Sequence, residues 1–154
     1  MVRWTSIVLA AAAILAIAGC GSKENDLAPA ACLVGDNGYL RALEQAPADV
    51  RLAGTTPISD CLVAAQDGGQ LANVGGPMVK AATKLNNEAR RGSVPAALQL
   101  GYLSGAVAKG ADAIHTDLVR RINSAAQFSE SGSPLPTSFQ RAFGRGYAAG
   151  NRSG

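Results

Sequence analysis

The residues in this 154-residue chain best suited to do chemistry are three cysteines, Cys20, Cys32 and Cys61, and one histidine, His115. A lone histidine can serve as general base for a serine nucleophile when a carboxylate orients it. Ser104 is the serine best placed for such a role, with Asp112 and Asp117 near His115 in sequence. However, Ser104 sits in GYLSG rather than GxSxG, and no strand leads into it, so the strained turn that exposes a nucleophilic serine is missing. Asp112 and His115 are three residues apart and share a helix face, the minimum for a loose metal pair. The same spacing is explained by an aspartate capping a helix beside a surface histidine. There is no CxxC or HxxxH spacing, and no pair of carboxylates in an apolar setting of the kind glycoside hydrolysis needs. Gly68-Gly69 and Gly75-Gly76 lack the Lys-Ser/Thr of a phosphate-binding loop and read as helix breaks. The expectation is no catalytic residue, no metal and no cofactor.

Cys20 is different, because its context is informative. From Ile7 to Ala18 twelve residues run without a polar side chain, preceded by Arg3 and followed by small residues. This run is shorter than the roughly 20 residues of a spanning helix. Its layout is that of a secretory signal, with a basic start, an apolar centre and a small-residue end. The segment closes on Ile17-Ala18-Gly19-Cys20, which resembles the lipobox of bacterial lipoprotein precursors: an aliphatic residue, two small residues, then cysteine. The resemblance implies that residues 1–19 are removed and that the Cys20 thiol carries a diacylglyceryl group. The exposed amine would usually be acylated as well. Two or more acyl chains give a stable anchor where one gives only marginal binding. The implied location is the extracytoplasmic face of a cell membrane, lipid-anchored through Cys20. The resemblance covers only about the first 21 residues.

Removing Cys20 leaves Cys32 and Cys61. An even pair in an exported domain suggests one disulfide. Between Cys20 and Cys32 lies GSKENDLAPAA, polar and then Pro/Ala-rich, which reads as a tether (residues 20–31) reaching at most about 40 Å when extended. A helical domain is expected over 32–150, followed by a disordered tail at 151–154.

The elements that must position these residues all have helical periodicity. NGYLRALEQ places Tyr39, Leu40 and Leu43 on one face before Pro47. Thr56-Pro57 reads as a cap and first helical residue, opening a helix over ISDCLVAAQ with Ile58, Cys61, Leu62 and Ala65 on one side. After Gly68-Gly69 comes a longer stretch to Gly92, with Met78, Ala81, Ala82 and Leu85 as its stripe and a kink or fresh start expected at Pro77. Ser93 caps the next segment, which is apolar nearly all round and therefore belongs at the centre. Its Gly101 and Gly105, four apart, should let a neighbouring helix approach closely. Asp112 opens a helix with Ile114, Leu118, Ile122 and Ala125 on one face and His115 elsewhere. SESGSPLP reads as a loop. TSFQRAFGRGYAAG sets Phe139, Ala142, Phe143 and Tyr147 on one side. No segment alternates with period two, so the fold class is all-α: a small irregular bundle of about five to six helices.

Composition bounds the function. Ala and Gly supply 30 and 18 residues, 47% of the chain is hydrophobic and 16% is charged, which suits one modest globular core and excludes wholesale disorder. Residues 20–79 carry three basic and seven acidic side chains, and residues 80–154 carry ten and four. This split could draw the second half to anionic lipid or acidic wall polymers, although ordinary solvated faces explain it as well. The compartment and the lack of interleaved basic and aromatic residues argue against nucleic acid. The stretch Ala96–Gly105 (AALQLGYLSG) resembles the A-x-x-x-L-G-x-x-Y-x-x-G core of Sel1/TPR-like protein-binding repeats, with Tyr102 out of register and no second copy at the repeat period. The function expected is a membrane-anchored exported lipoprotein whose helical module binds a protein or cell-wall partner at the cell surface. The alternatives are an enzyme of unrecognised type or a Sel1/TPR-like protein-binding fragment.

Overall fold

The computed structural model describes residues 27–129 and 131–154. The signal and lipidation motif, Ile17 to Cys20, lies outside the described residues. Among the described residues there are five α-helices and no strand: α1 (Gly35–Leu43), α2 (Gly68–Arg90), α3 (Val94–Gly110), α4 (Thr116–Gln127) and α5 (Thr137–Ser153). Short 3-10 turns at Ala30–Leu33, Ile58–Cys61 and Ala113–His115 join or precede them. The chain is a small all-α fold, as its periodicity predicts.

The core is built around α3. Residues 101–107 are buried without interruption, as expected for a helix that lacks a polar stripe. Ser93 caps it, its Oγ accepting from the Ala96 amide at 3.2 Å. Helix α5 lies along α3 in the most extensive helix pair of the molecule. The contact is made by glycine on both sides. A Cβ added to Gly101 or Gly105 would stand 2.0 or 2.2 Å from the carbonyl oxygens of Phe143 and Tyr147. One added to Gly146 or Gly150 would stand 1.9 or 2.1 Å from those of Leu98 and Tyr102. Only residues without a Cβ allow two helix backbones so close.

Four sequence expectations are corrected. The helix foreseen over ISDCLVAAQ is a single 3-10 turn, Ile58–Cys61, followed by extended backbone at Leu62. The Gln66 side chain explains the stop: its Nε2 donates to the Cys61 carbonyl at 2.9 Å, the acceptor that a continuing helix would need. Thr56 does not cap this turn, and its carbonyl instead accepts from the Leu52 amide at 2.8 Å.

Gly75-Gly76, read as a helix break, and Pro77, read as a kink or fresh start, lie inside one 23-residue helix, and Gly68-Gly69 form its first turn rather than a gap before it. It starts at Gly68 because Asp67 Oδ1 accepts from the Gln70 amide at 2.8 Å. Gly76 has no Cβ to crowd the ring of Pro77.

Around His115, the 3-10 turn at Ala113–His115 advances the chain by fewer residues per turn than an α-helix. Ile114 therefore points outward, 43% exposed, and His115 is fully buried, the reverse of the expected face.

Finally, residues 151–154 are not a disordered tail. Helix α5 continues through Ser153, and Gly154 is buried. Lys109 Nζ donates to the carbonyls of Arg152 and Gly154 at 3.2 and 3.0 Å. The Ser59 hydroxyl also donates to the Gly154 carbonyl.

Candidate functional site

The residues with chemical potential fall into two groups, one locked into the fold and one open to solvent. Cys32 and Cys61 belong to the first. Their sulfurs lie 2.02 Å apart, a disulfide distance, with Cα atoms 5.6 Å apart and both residues fully buried. The Tyr39 hydroxyl donates to the Cys32 carbonyl at 3.0 Å, and burial pushes the Tyr39 phenol well above its ordinary pKa.

His115 is also structural. Asp112 caps the 3-10 turn, its Oδ1 accepting from the Ile114 amide at 3.1 Å, while its own amide donates to His115 Nδ1 at 3.2 Å. In that tautomer Nε2–H donates to Gln66 Oε1, 3.1 Å away. Both ring nitrogens are therefore occupied, and the histidine ties the start of α4 to the 61–66 loop. Ser104 Oγ is buried and has no hydrogen-bond partner, so His115 is not its base. Asp117 pairs with Arg120 on the surface and takes no part. The Asp112–His115 pair is the capping arrangement that the spacing suggested, with a buried rather than a surface histidine. No group of three or more potential metal ligands occurs among the described residues, and no described helix is long and apolar enough to cross a membrane. The Ala96–Gly105 stretch that resembles a helical repeat lies in α3, with Ala96, Ala97 and residues 100–105 buried.

The open group is a groove that sequence reasoning missed. It lies between α5, the C-terminal end of α4 and the loop through Ser133-Pro134-Leu135, and encloses about 510 Å³. Phe139, Phe143 and Tyr147 form its wall, with ring centroids 6.1 and 6.4 Å apart and planes within 8° and 26° of parallel. Sequence reading put these three rings on the packed face of α5. In fact Phe139 is buried, Phe143 is half-buried and Tyr147 is 38% exposed, because the glycine face turns toward α3 and leaves the rings on its flank.

Opposite the rings stands Arg90 at the end of α2. Its Nε donates to Asn86 Oδ1 at 3.2 Å and its Nη2 to the Gln127 carbonyl at 3.0 Å. Asn86 is itself fixed by donating to the Phe128 carbonyl at 2.9 Å. The guanidinium is thus held in place by two hydrogen bonds to neutral acceptors rather than by a carboxylate. A second depression of about 650 Å³ continues past Arg90 and Ser133, lined also by Arg91, Ser129 and Ser131. A volume of this order, an apolar wall and a few fixed polar groups are the usual makings of a small-molecule site.

The chain matches no family model, no curated protein and no solved structure. The groove must therefore be interpreted from its own chemistry.

Proposed function

We propose that the chain is an exported lipoprotein, held at the extracytoplasmic face of a cell membrane by acyl chains on Cys20. Its helical part would act there as a binding module rather than an enzyme. The observation that carries the binding reading is the groove along α5, where Phe143 and Tyr147 run outward from the buried Phe139 and stand beside a fixed arginine. Exposed apolar surface rimmed by polar groups marks interaction sites in soluble domains. The anchoring reading is supported by Ile17-Ala18-Gly19-Cys20 after its apolar run, and by the pairing of the other two cysteines. Disulfides persist in exported compartments and are rare in reducing ones.

Two measurements test this reading. In a bacterial host fed a labelled fatty acid, the wild-type chain is expected to incorporate label. Cys20→Ala should abolish incorporation and leave an uncleaved or released protein; undiminished labelling in that variant would refute anchoring through Cys20. For the groove, a photo-crosslinking amino acid replaces Tyr147 in the full-length, cell-produced protein. Adducts are expected there and not at the exposed control position Arg145. Equal yields at both positions would refute a binding role for the groove.

A further inference from the structure

We propose that the groove takes a single-chain amphiphilic carboxylate, its acyl body lying along Phe139, Phe143 and Tyr147 and its head group meeting Arg90. This inference rests on the binding reading above and adds the ligand class.

The wall points to a chain. The three rings stack along one helix with centroid spacings of 6.1 and 6.4 Å, Phe139 buried at the inner end and Phe143 and Tyr147 progressively more open, which makes a narrow ridge rather than a broad flat platform. An extended methylene chain covers such a ridge, whereas a compact planar ligand would touch one ring. Leu135 and Pro134 close the opposite side with further apolar surface.

The head-group end points to an anion. Arg90 spends Nε and Nη2 on Asn86 and Gln127, and Nη1 has no hydrogen-bond partner among the described residues. A guanidinium held by neutral acceptors keeps its whole charge for a ligand, and its geometry suits a carboxylate. Ser133 supplies a hydroxyl beside it, and Arg91 adds a second cation along the continuing depression. None of the described lining residues of either depression is acidic. Glu130, in the same loop, lies outside the described residues.

The occupant argued for is a free long-chain acid rather than a lipid of the bilayer. The groove offers one fixed guanidinium and one apolar ridge, which accommodate a single chain and a single head.

The test uses the full-length protein in phosphatidylcholine vesicles, with a C16 carboxylate carrying a chain diazirine as probe and the matching C16 alcohol as comparison. The carboxylate probe is expected to label peptides from residues 133–147, and unlabelled palmitate should compete. Arg90→Gln should reduce that labelling about tenfold, the loss of one hydrogen bond to a charged group. Ser133→Asp, an exposed loop change that leaves the helices intact, should reduce it similarly by placing a negative charge beside the head group. Neither change should reduce labelling by the alcohol.

Three results would overturn the proposal in different ways. Equal labelling by alcohol and acid in all variants would remove the anion from it and leave an apolar binding groove. Competition by phosphatidylglycerol as effective as that by palmitate would assign the groove to bilayer lipid. No labelling at 133–147 by either probe would exclude an amphiphile altogether, and the Tyr147 crosslinking measurement would still decide the binding reading independently.

Discussion

Gly105→Leu is expected to lower the melting temperature by about 10 °C or more. The reason is the distance between two backbones. A Cβ at position 105 would lie 2.2 Å from the Tyr147 carbonyl oxygen and 2.9 Å from the Asn151 amide nitrogen. Those are atoms of α5 itself, which cannot swing aside as a side chain can, so the helix must move. It is held by the reciprocal contacts of Gly146 and Gly150 against Leu98 and Tyr102. Overpacking a core costs roughly 1–3 kcal/mol and occasionally more, and a backbone-to-backbone clash belongs at the upper end. For a domain of this size, about 3 kcal/mol corresponds to roughly 10 °C. Gly144→Ala is the internal control. Gly144 is exposed on the same helix with nothing within 4 Å of an added Cβ, so the change should stabilise by up to about 1 kcal/mol through helix propensity. Thermal unfolding followed by circular dichroism distinguishes the two. An unchanged melting temperature in Gly105→Leu would mean that α3 and α5 do not pack as described.

The same contact shows what the sequence could and could not reveal. Gly101 and Gly105 stood out because they interrupt an otherwise apolar helix, and a glycine there costs helix propensity without an obvious return. Their partners Gly146 and Gly150 did not stand out. In TSFQRAFGRGYAAG the aromatic residues dominate any hydrophobic pattern, and that pattern places Phe139, Phe143 and Tyr147 together on the packed face. Pattern reasoning counts apolar area and gives no weight to close backbone approach. The groove follows from that difference: Phe139 stays in the core, while Phe143 and Tyr147 fall progressively outside the glycine contact and become a wall that no local signal in the sequence announces.

The burial of His115 is hidden in the sequence for another reason. A single 3-10 turn changes the phase of a helix by part of a turn, and the choice between 3-10 and α over three residues rests on tertiary contacts, here the hydrogen bond to Gln66. The serine cap at Ser93 and the pairing of Cys32 with Cys61 were legible because each depends on residue type at short range or on simple counting. The segment from Ile58 to Gln66 was not, since its helical pattern is overridden by the Gln66 side chain closing on the Cys61 carbonyl.

Replacing Cys32 and Cys61 together by alanine is expected to destabilise the protein by about 3–4 kcal/mol, at least as much as the Gly105→Leu packing defect. The two cysteines are 29 residues apart, and closing a loop of that length in the unfolded chain removes entropy equivalent to about 3.5 kcal/mol. The loss should also be felt locally, because the pair anchors a continuous set of hydrogen bonds. The Tyr39 hydroxyl reaches the Cys32 carbonyl, Gln66 Nε2 reaches the Cys61 carbonyl, and Gln66 Oε1 reaches His115. With the link gone, the 61–66 loop is free to open, and the turn at Asp112–His115 loses its buried partner. Amide exchange should therefore quicken at Ile114 and His115 before it quickens in α3, whose burial depends on α5 instead. Native mass measurement without reductant should find the wild-type chain two hydrogens lighter than its reduced form. Two freely alkylatable thiols at Cys32 and Cys61 in the native exported protein, or equal stability in the double variant, would show that the pair is not bonded. Uniform quickening of exchange throughout the domain would show that the loop and the core open as one unit rather than separately.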